Sequence, residues 1–314
     1  TSAMDCVKEQ ALALRGQVDV LVVVSHLGVD VERQLAKQVP ELDLIVGGHT
    51  HTRMDQAETV NGVTVVQAGS YARSLGVATI VVEDGEAAVH WEIRDPDPTN
   101  LPGEPSAEMV SVYETWDQTL RRDWDQVIGQ ADITLTRSYE EESPMGRWVG
   151  ELMVEGVGAD VGVYNAGGLR ADLVAGDVTR ADLYQVFPFG NEVVTVQVTG
   201  SELIGLALGN AGGLMYPEKG RVIQQYGLAY DYRRRMDAPE LISVRVGGKP
   251  VDPDGTYTVA TSDFVVKHWP RLIGGSAGAS TGQGVTMLEL ATRRIEERGL
   301  KALPPAGGTE VDAR

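Results

Sequence analysis

Val18-Asp19-Val20-Leu21-Val22-Val23-Val24-Ser25-His26 and Leu42-Asp43-Leu44-Ile45-Val46-Gly47-Gly48-His49-Thr50-His51-Thr52 each carry an apolar run into a polar, histidine-bearing turn. Short runs of this kind read as strands buried on both faces, the habit of parallel sheets. Between them, Val31 to Val39 has helical spacing and stops at Pro40. Upstream, Val7, Ala11 and Leu14 recur at helical spacing and end near Gly16. Val63 to Gln67 and Gly76 to Glu83 read as further strands of the same sheet. Asp84-Gly85 then turns the chain into Ala88 to Ile93. Helices alternating with strands and closing on a hairpin predict an α/β layered domain.

A break follows. Arg94-Asp95-Pro96-Asp97-Pro98-Thr99-Asn100-Leu101-Pro102-Gly103-Glu104-Pro105 reads as a linker because prolines stiffen it and forbid a helix or central strand. Beyond it, Met109, Val112, Tyr113, Trp116 and Leu120 mark one face of a long spacer helix. The remainder reads as α+β. Ser143-Pro144 has the cap-then-proline signature of a helix start, and Met145, Trp148, Val149, Leu152 and Met153 form its buried stripe. Asp160 to Tyr164 is a strand running into Asn165-Ala166-Gly167-Gly168-Leu169-Arg170. Thr179-Arg180-Ala181-Asp182 resembles a capping box. Val193 to Thr199 is a strand, a helix starts at Ser201, and Gly247-Gly248 and Asp254-Gly255 are turns. From Leu303 on the chain reads as a frayed tail.

Composition bounds the chemistry. The 314 residues suffice for two domains, and 42% hydrophobic residues suffice for their cores. Lys+Arg 27 against Asp+Glu 45 gives 27 − 45 = −18, which repels polyphosphate and disfavours nucleic-acid polymers as partners. Cys6 is the single cysteine, so an internal disulfide and a thiolate metal cluster are both excluded. No apolar run reaches transmembrane length.

Three of the 5 histidines, His26, His49 and His51, lie at the ends of neighbouring strands. The carboxyl ends of strands border the ligand crevice of an α/β sheet, and imidazole suits zinc, manganese, iron or nickel. One such histidine is ordinarily a hydrogen-bonded loop residue. Three, in a Gly-Gly-His-x-His setting, point to metal.

Ser25-His26-Leu27-Gly28 and Gly47-Gly48-His49-Thr50-His51-Thr52 resemble the last two metal-binding blocks of the calcineurin-like metallophosphatases. Asn165-Ala166-Gly167-Gly168-Leu169-Arg170 and Phe187-Pro188-Phe189-Gly190 resemble the C-terminal domain of the 5′-nucleotidase family, which includes UDP-sugar hydrolases and 2′,3′-cyclic-nucleotide phosphodiesterases. The resemblance implies the C-terminal portion of a layered αββα metallophosphatase domain (1–94), a linker and spacer helix (95–126), and an α+β 5′-nucleotidase C-terminal domain (127–314). It implies two divalent metal ions, Mn, Zn or similar, with His26 and His49 on one and His51 on the other. It also implies that a nucleotide or related small phosphorylated substrate meets Asn165, Gly167, Gly168 and Arg170, with its base between Phe189 and Phe264. Arg170 would offer a forked donor to phosphate or a ribose hydroxyl, and the two phenylalanines flat faces. Phe187 reads as core. The implied location is periplasmic, cell-surface or secreted.

The family's Asp-x-His, bridging Asp, Asn-His and catalytic His blocks lie ahead of these. Before His26 this chain has only Asp5, Glu9 and Asp19 as acids, and no His or Asn. It is therefore expected to be an incomplete fragment, without phosphatase activity alone and without a nameable catalytic residue. Two departures bear on the substrate. Val265-Val266-Lys267-His268-Trp269-Pro270 follows Phe264 where the family has a Gly-Gly-Asp-Gly turn. Glu140-Glu141-Glu142 precedes Ser143 where the family tends to have an arginine, and reads as a solvated charge run. The alternatives are a non-catalytic nucleotide-binding remnant and a same-fold hydrolase of a sulfur substrate.

Overall fold

The computed structural model describes residues 2–97, 103–215, 222–236 and 238–311. The chain divides into two compact units, Thr1–Ser106 and Ala107–Arg314. Residues 98–102 of the proline-rich linker lie outside the described residues.

The first unit runs α1 (Ala3–Leu14), β1 (Val22–Val24), α2 (Val29–Gln38), β2 (Leu44–Val46), β3 (Glu58–Val60), β4 (Val63–Val66), β5 (Leu75–Glu83) and β6 (Glu86–Arg94). Its main sheet has the order β1-β2-β4-β3, with β1, β2 and β4 parallel. Ala11 of α1, Leu35 and Ala36 of α2, and Ile45, Val63 and Val65 of the sheet form one apolar cluster. Two expectations are corrected here. The run Val18–Val24 is not buried on both faces: only Val22–Val24 is strand, on the sheet edge, with Val22 40% and Val24 85% exposed. A β-branched run thus reported strand propensity, not burial. The strand starting near Gly76 does not continue the sheet either. β5 and β6 form a separate two-stranded sheet, joined by Asp84 and Gly85, both at positive φ.

The second unit runs α3 (Ala107–Trp124), β7 (Val127–Ala131), α4 (Pro144–Val157), β8 (Val161–Tyr164), β9 (Gly176–Thr179), α5 (Arg180–Val186), β10 (Glu192–Thr199) and α6 (Gly200–Met215). It continues with β11 (Gln224–Tyr226), β12 (Leu228–Arg233), β13 (Glu240–Val246), β14 (Lys249–Pro250), β15 (Thr256–Ser262), α7 (Asp263–Lys267), α8 (Trp269–Leu272), β16 (Ser280–Thr286), α9 (Met287–Arg298) and β17 (Gly308–Glu310). A 5-stranded sheet of order β11-β8-β15-β10-β16 is its spine. One face buries Trp148, Met153, Tyr164 and Leu183; the other buries Val163, Val196, Leu203 and Trp269. Ser143 caps α4 by accepting from the Gly146 amide, and Thr179 and Asp182 complete the capping box of α5.

The face of α3 bearing Met109, Tyr113 and Trp116 is exposed. The C-terminal segment is not frayed over its described length, since β17 pairs with β12 in parallel. The acidic run explains why. Glu140 and Glu141 are exposed, whereas Glu142 turns inward and accepts from the Tyr230 hydroxyl (2.6 Å), the Gln225 amide (3.2 Å) and the Gly307 backbone (2.8 Å). One carboxylate thereby ties the tail to the sheet. These bonds are charge-assisted, which makes them stronger than neutral ones.

Candidate functional site

In the first unit the parallel strands end in register, with Val24 opposite Val46 and Val46 opposite Val66. Ser25-His26, the turn Gly47–Thr52 and Gln67 therefore emerge side by side at the carboxyl edge. His49 and His51 both hold positive φ, 72° and 57°, an uncommon state for non-glycine residues and one concentrated at functional sites.

Polar groups brace this turn from below. Glu32, on the first turn of α2, is 0% exposed and Gln67 1%. Glu32 accepts from the Gln67 side-chain amide (2.6 Å) and from the Gly48 backbone (3.2 Å). Gln67 also donates to the Gly48 carbonyl (3.1 Å), and its oxygen accepts from the Thr50 hydroxyl and the Thr52 backbone, both at 3.2 Å. The glycines are required by what lies on either side. A Cβ on Gly47 would fall 2.1 Å from the Glu32 carboxylate, and one on Gly48 would fall 3.0 Å from His26 Nδ1.

The His26 and His49 ring centres are 5.2 Å apart, edge to face. An imidazole bound at a metal–nitrogen distance of about 2.1 Å places its ring centre about 3.2 Å from the ion, so two ligands at a tetrahedral angle have centres about 5 Å apart. The ring spacing of this pair is compatible with one shared ion. The His51 ring instead packs at 5.4 Å against Tyr71, which Arg73 covers at 5.9 Å. Tyr71 and Ala72 are themselves at positive φ, 58° and 53°. Among the described residues no group of three or more His, Cys, Asp or Glu is placed to hold an ion. The donors present thus fit a two-imidazole half-site, to which further ligands must be added.

In the second unit the register places Tyr164, Ser262 and Glu192 at one end of the 5-stranded sheet. Three loops therefore share that rim: Asn165–Arg170, Phe187–Asn191, and the start of α7 with Asp263 and Phe264. Arg170 is anchored by its amide on the Val186 carbonyl (3.0 Å), and its guanidinium lies 5.8 Å from the Phe189 ring centre. Phe189 is 57% and Phe264 42% exposed, while Phe187 is buried at 3%. The Asn165 Oδ1 is buried without a hydrogen-bond partner, a state that is costly unless something fills it. Tyr164 lies under the loop: a Cβ on Gly168 would fall 2.6 Å from its ring. The Asn191 side chain donates to the Tyr164 hydroxyl (3.2 Å), and burial pushes that phenol up to about 12, with Asp263 adding to the shift.

Two residues escaped the sequence reading. Glu32 sits on a helix, where a glutamate is ordinarily solvated. His268 stacks on Phe264, ring centres 4.3 Å apart and planes at 32°, with Nδ1 2.8 Å from the Phe264 carbonyl. Their i, i+4 spacing on a helix was the available signal. Hollows of about 430 and 600 Å³ flank Trp124 between α3, α5 and α9 and contain none of the nominated residues.

The sequence pattern described as "5′-nucleotidase, C-terminal domain" matches residues 125–272. Among curated proteins, the chain is 26% identical over 326 residues to the trifunctional nucleotide phosphoesterase protein YfkN of Bacillus subtilis, covering 95% of this chain and 22% of that one. It spans less than two thirds of the length of the curated relatives it matches. Among solved structures, the 5′-nucleotidase precursor of Thermus thermophilus superposes with a TM-score of 0.78 at 23% identity, over 100% of this chain and 68% of that one. The sulfate thiohydrolase SoxB of the same species gives 0.73 at 18% identity, over 100% and 59%. These likenesses establish a shared fold.

Proposed function

We propose that this chain, whose residues 125–272 match the 5′-nucleotidase C-terminal domain, forms the substrate-binding and part of the metal-binding apparatus of a metal-dependent nucleotide phosphoesterase of the 5′-nucleotidase family. Residues 127–314 are the substrate domain in this reading. The observation that carries it is the gathering of Asn165, Arg170, Phe189 and Phe264 on one sheet rim, with both rings exposed and an acceptor left open. Arg170 binds a phosphate oxygen or ribose hydroxyl through its forked donors, and Asn165 Oδ1 accepts from a sugar hydroxyl. Phe189 and Phe264 hold the base by its faces, His268 backing the second ring. Gly167, whose nearest neighbour to an added Cβ is 3.5 Å away, keeps the loop low beside the ligand.

His26, His49 and His51 supply imidazoles to divalent ions, Mn, Zn or similar. Bound ions would polarise the phosphate and lower the pKa of a water. Three imidazoles without a bridging carboxylate hold such a pair poorly. The 314-residue polypeptide with added Mn²⁺ or Zn²⁺ should therefore bind AMP without releasing phosphate. Phosphate release from AMP by this polypeptide alone would overturn that part of the reading.

Phe189→Ala should weaken AMP binding by about 1–3 kcal/mol, roughly 5- to 150-fold, with the fold unchanged because the ring is exposed. Unchanged affinity would remove the stacking role. The fold shared with a thiohydrolase favours one second reading, a sulfur substrate. It leaves two exposed phenylalanines unused. A panel of AMP, UDP-glucose, NAD, cyclic nucleotides and thiosulfate adducts, tested for binding, separates the two. A binding remnant would bind nucleotide but never hydrolyse it, even in the longest gene product. The proposed location is periplasmic, cell-surface or secreted, and labelling of the protein on intact cells with a membrane-impermeant reagent tests it.

A further inference from the structure

Glu32 presents an energetic problem. Its carboxylate is fully buried in the first unit, within a helix that packs Val29, Leu35 and Ala36 into the apolar cluster. Its hydrogen-bond donors, the Gln67 side-chain amide and the Gly48 backbone, are both neutral. Among the described residues no lysine, arginine or histidine pairs with it; Arg33 beside it pairs with Glu58 and Asp30 instead. The partial positive charge at the start of α2 offsets only a fraction of one electron. A buried carboxylate with that little compensation is unfavourable, and bracing the turn does not require it, since neutral acceptors would serve.

The missing positive charge has a place. Gly47 and Gly48 form a thin wall with the Glu32 carboxylate on one side and His26 on the other, because a Cβ on the first would strike the carboxylate and one on the second would crowd His26 Nδ1. We infer that Glu32 is the buried counter-charge and positioning residue for a divalent cation held by His26 and His49. It acts across the glycine wall rather than as a ligand, with Gln67 carrying its hold on to Thr50 and Thr52. Away from bulk water, a carboxylate and a nearby divalent cation attract strongly. The inference rests on the metal reading of the histidine pair, and it names the residue that tunes that site.

The test titrates Mn²⁺ and Zn²⁺ calorimetrically into the 314-residue protein and its Glu32→Gln variant, with melting temperatures measured with and without metal. Outer-shell partners are typically worth 10- to 100-fold in metal affinity, so Glu32→Gln should weaken binding by about tenfold or more. Its metal-free melting temperature should change little, because relief of the buried charge offsets one misplaced amide hydrogen. Glu32→Asp, which keeps the charge, should stay within about threefold of the parent. Equal affinity in Glu32→Gln overturns the inference. So does a fall in metal-free stability with the metal-induced shift intact, the signature of a purely structural residue. If Glu32→Gln does not fold, Glu32→Asp against Glu32→Asn makes the same comparison. Absence of saturable metal binding by the parent protein sinks the histidine-pair reading first, and this inference with it.

Discussion

The histidine turn of the first unit and the arginine–phenylalanine rim of the second both sit at strand ends, and both contain a Gly-Gly pair. They are held by opposite means. The rim rests on a 5-stranded sheet with an apolar cluster on each face, and its supporting residue is a tyrosine within that core. The histidine turn leaves strands of three or four residues, tolerates two left-handed histidines, and is tied down by a buried Glu32–Gln67 pair. Apolar packing is distributed over many small contacts, so it buffers local change; a polar brace concentrates its energy in two or three bonds. The rim should therefore survive substitutions in its loop and fail with its core, and the turn should be sensitive to whatever crowds its brace.

The largest effect expected is Trp148→Ala. Trp148 is 1% exposed in the cluster beneath the rim, and such truncations cost about 3–5 kcal/mol. Hydrogen exchange read by mass spectrometry should show faster exchange across β8, β15 and α4, with β1, β2 and β4 unchanged. Equal acceleration in both units would mean that they unfold as one, and the contrast drawn above would be lost.

Next is a loss on the alkaline side confined to the second unit. The Tyr164 phenol is held up at about 12 by burial, against about 10 when unfolded. The folded state therefore keeps its proton longer. The stabilisation is complete below pH ~10 and disappears as pH rises towards 12, an order-of-magnitude loss of about 2–3 kcal/mol. The first unit has one tyrosine, Tyr71, which is 60% exposed. Tyr164→Phe should flatten the decline in urea stability between pH 9 and pH 11.5. An unchanged slope assigns it elsewhere, Tyr230 being the next buried phenol, pushed up chiefly by burial and then by Glu142.

The two Gly-Gly pairs give a direct contrast. Gly47→Ala would place a methyl 2.1 Å from the Glu32 carboxylate, while the nearest atom to one on Gly167 is 3.5 Å away. The first should cost about 1–3 kcal/mol by overpacking and the second within about 0.5 kcal/mol. Denaturant titration of both variants decides it, and a neutral Gly47→Ala would show that the brace yields easily.

The sequence disclosed what depends on neighbours along the chain. The valine runs marked the strands leading to His26 and His49, and Ser143-Pro144 and Thr179–Asp182 marked helix starts. What it hid depends on distant pairing. Nothing local says that Val22–Val24 ends up on an edge, that Glu142 meets Gly307, or that β17 finds β12. Glu32 shows why: a glutamate on a helix is ordinarily solvated, and the groups that meet it here, Gly48 and Gln67, lie 16 and 35 residues on.

The smallest effect concerns charge outside the brace. Arg33 on α2 makes a two-pronged bond to Glu58 on β3, at 2.8 and 2.6 Å, which holds that carboxylate below the usual glutamate range. A depressed folded pKa means stabilisation present above the unfolded value of about 4.3 and lost as pH falls through the folded one. Both side chains are more than a third exposed, at 38% and 39%, so screening limits the pair to under about 1 kcal/mol. Glu58→Gln should therefore lower the first unit's stability slightly at pH 7, by an amount that shrinks in 1 M salt and vanishes in acid, once the folded-state carboxylate is protonated as well. A difference that persists in acid would assign the effect to packing of the Arg33 stem. The surface of this unit would then be held as the second unit's core is, and polar bracing would be a property of the Glu32–Gln67 pair alone.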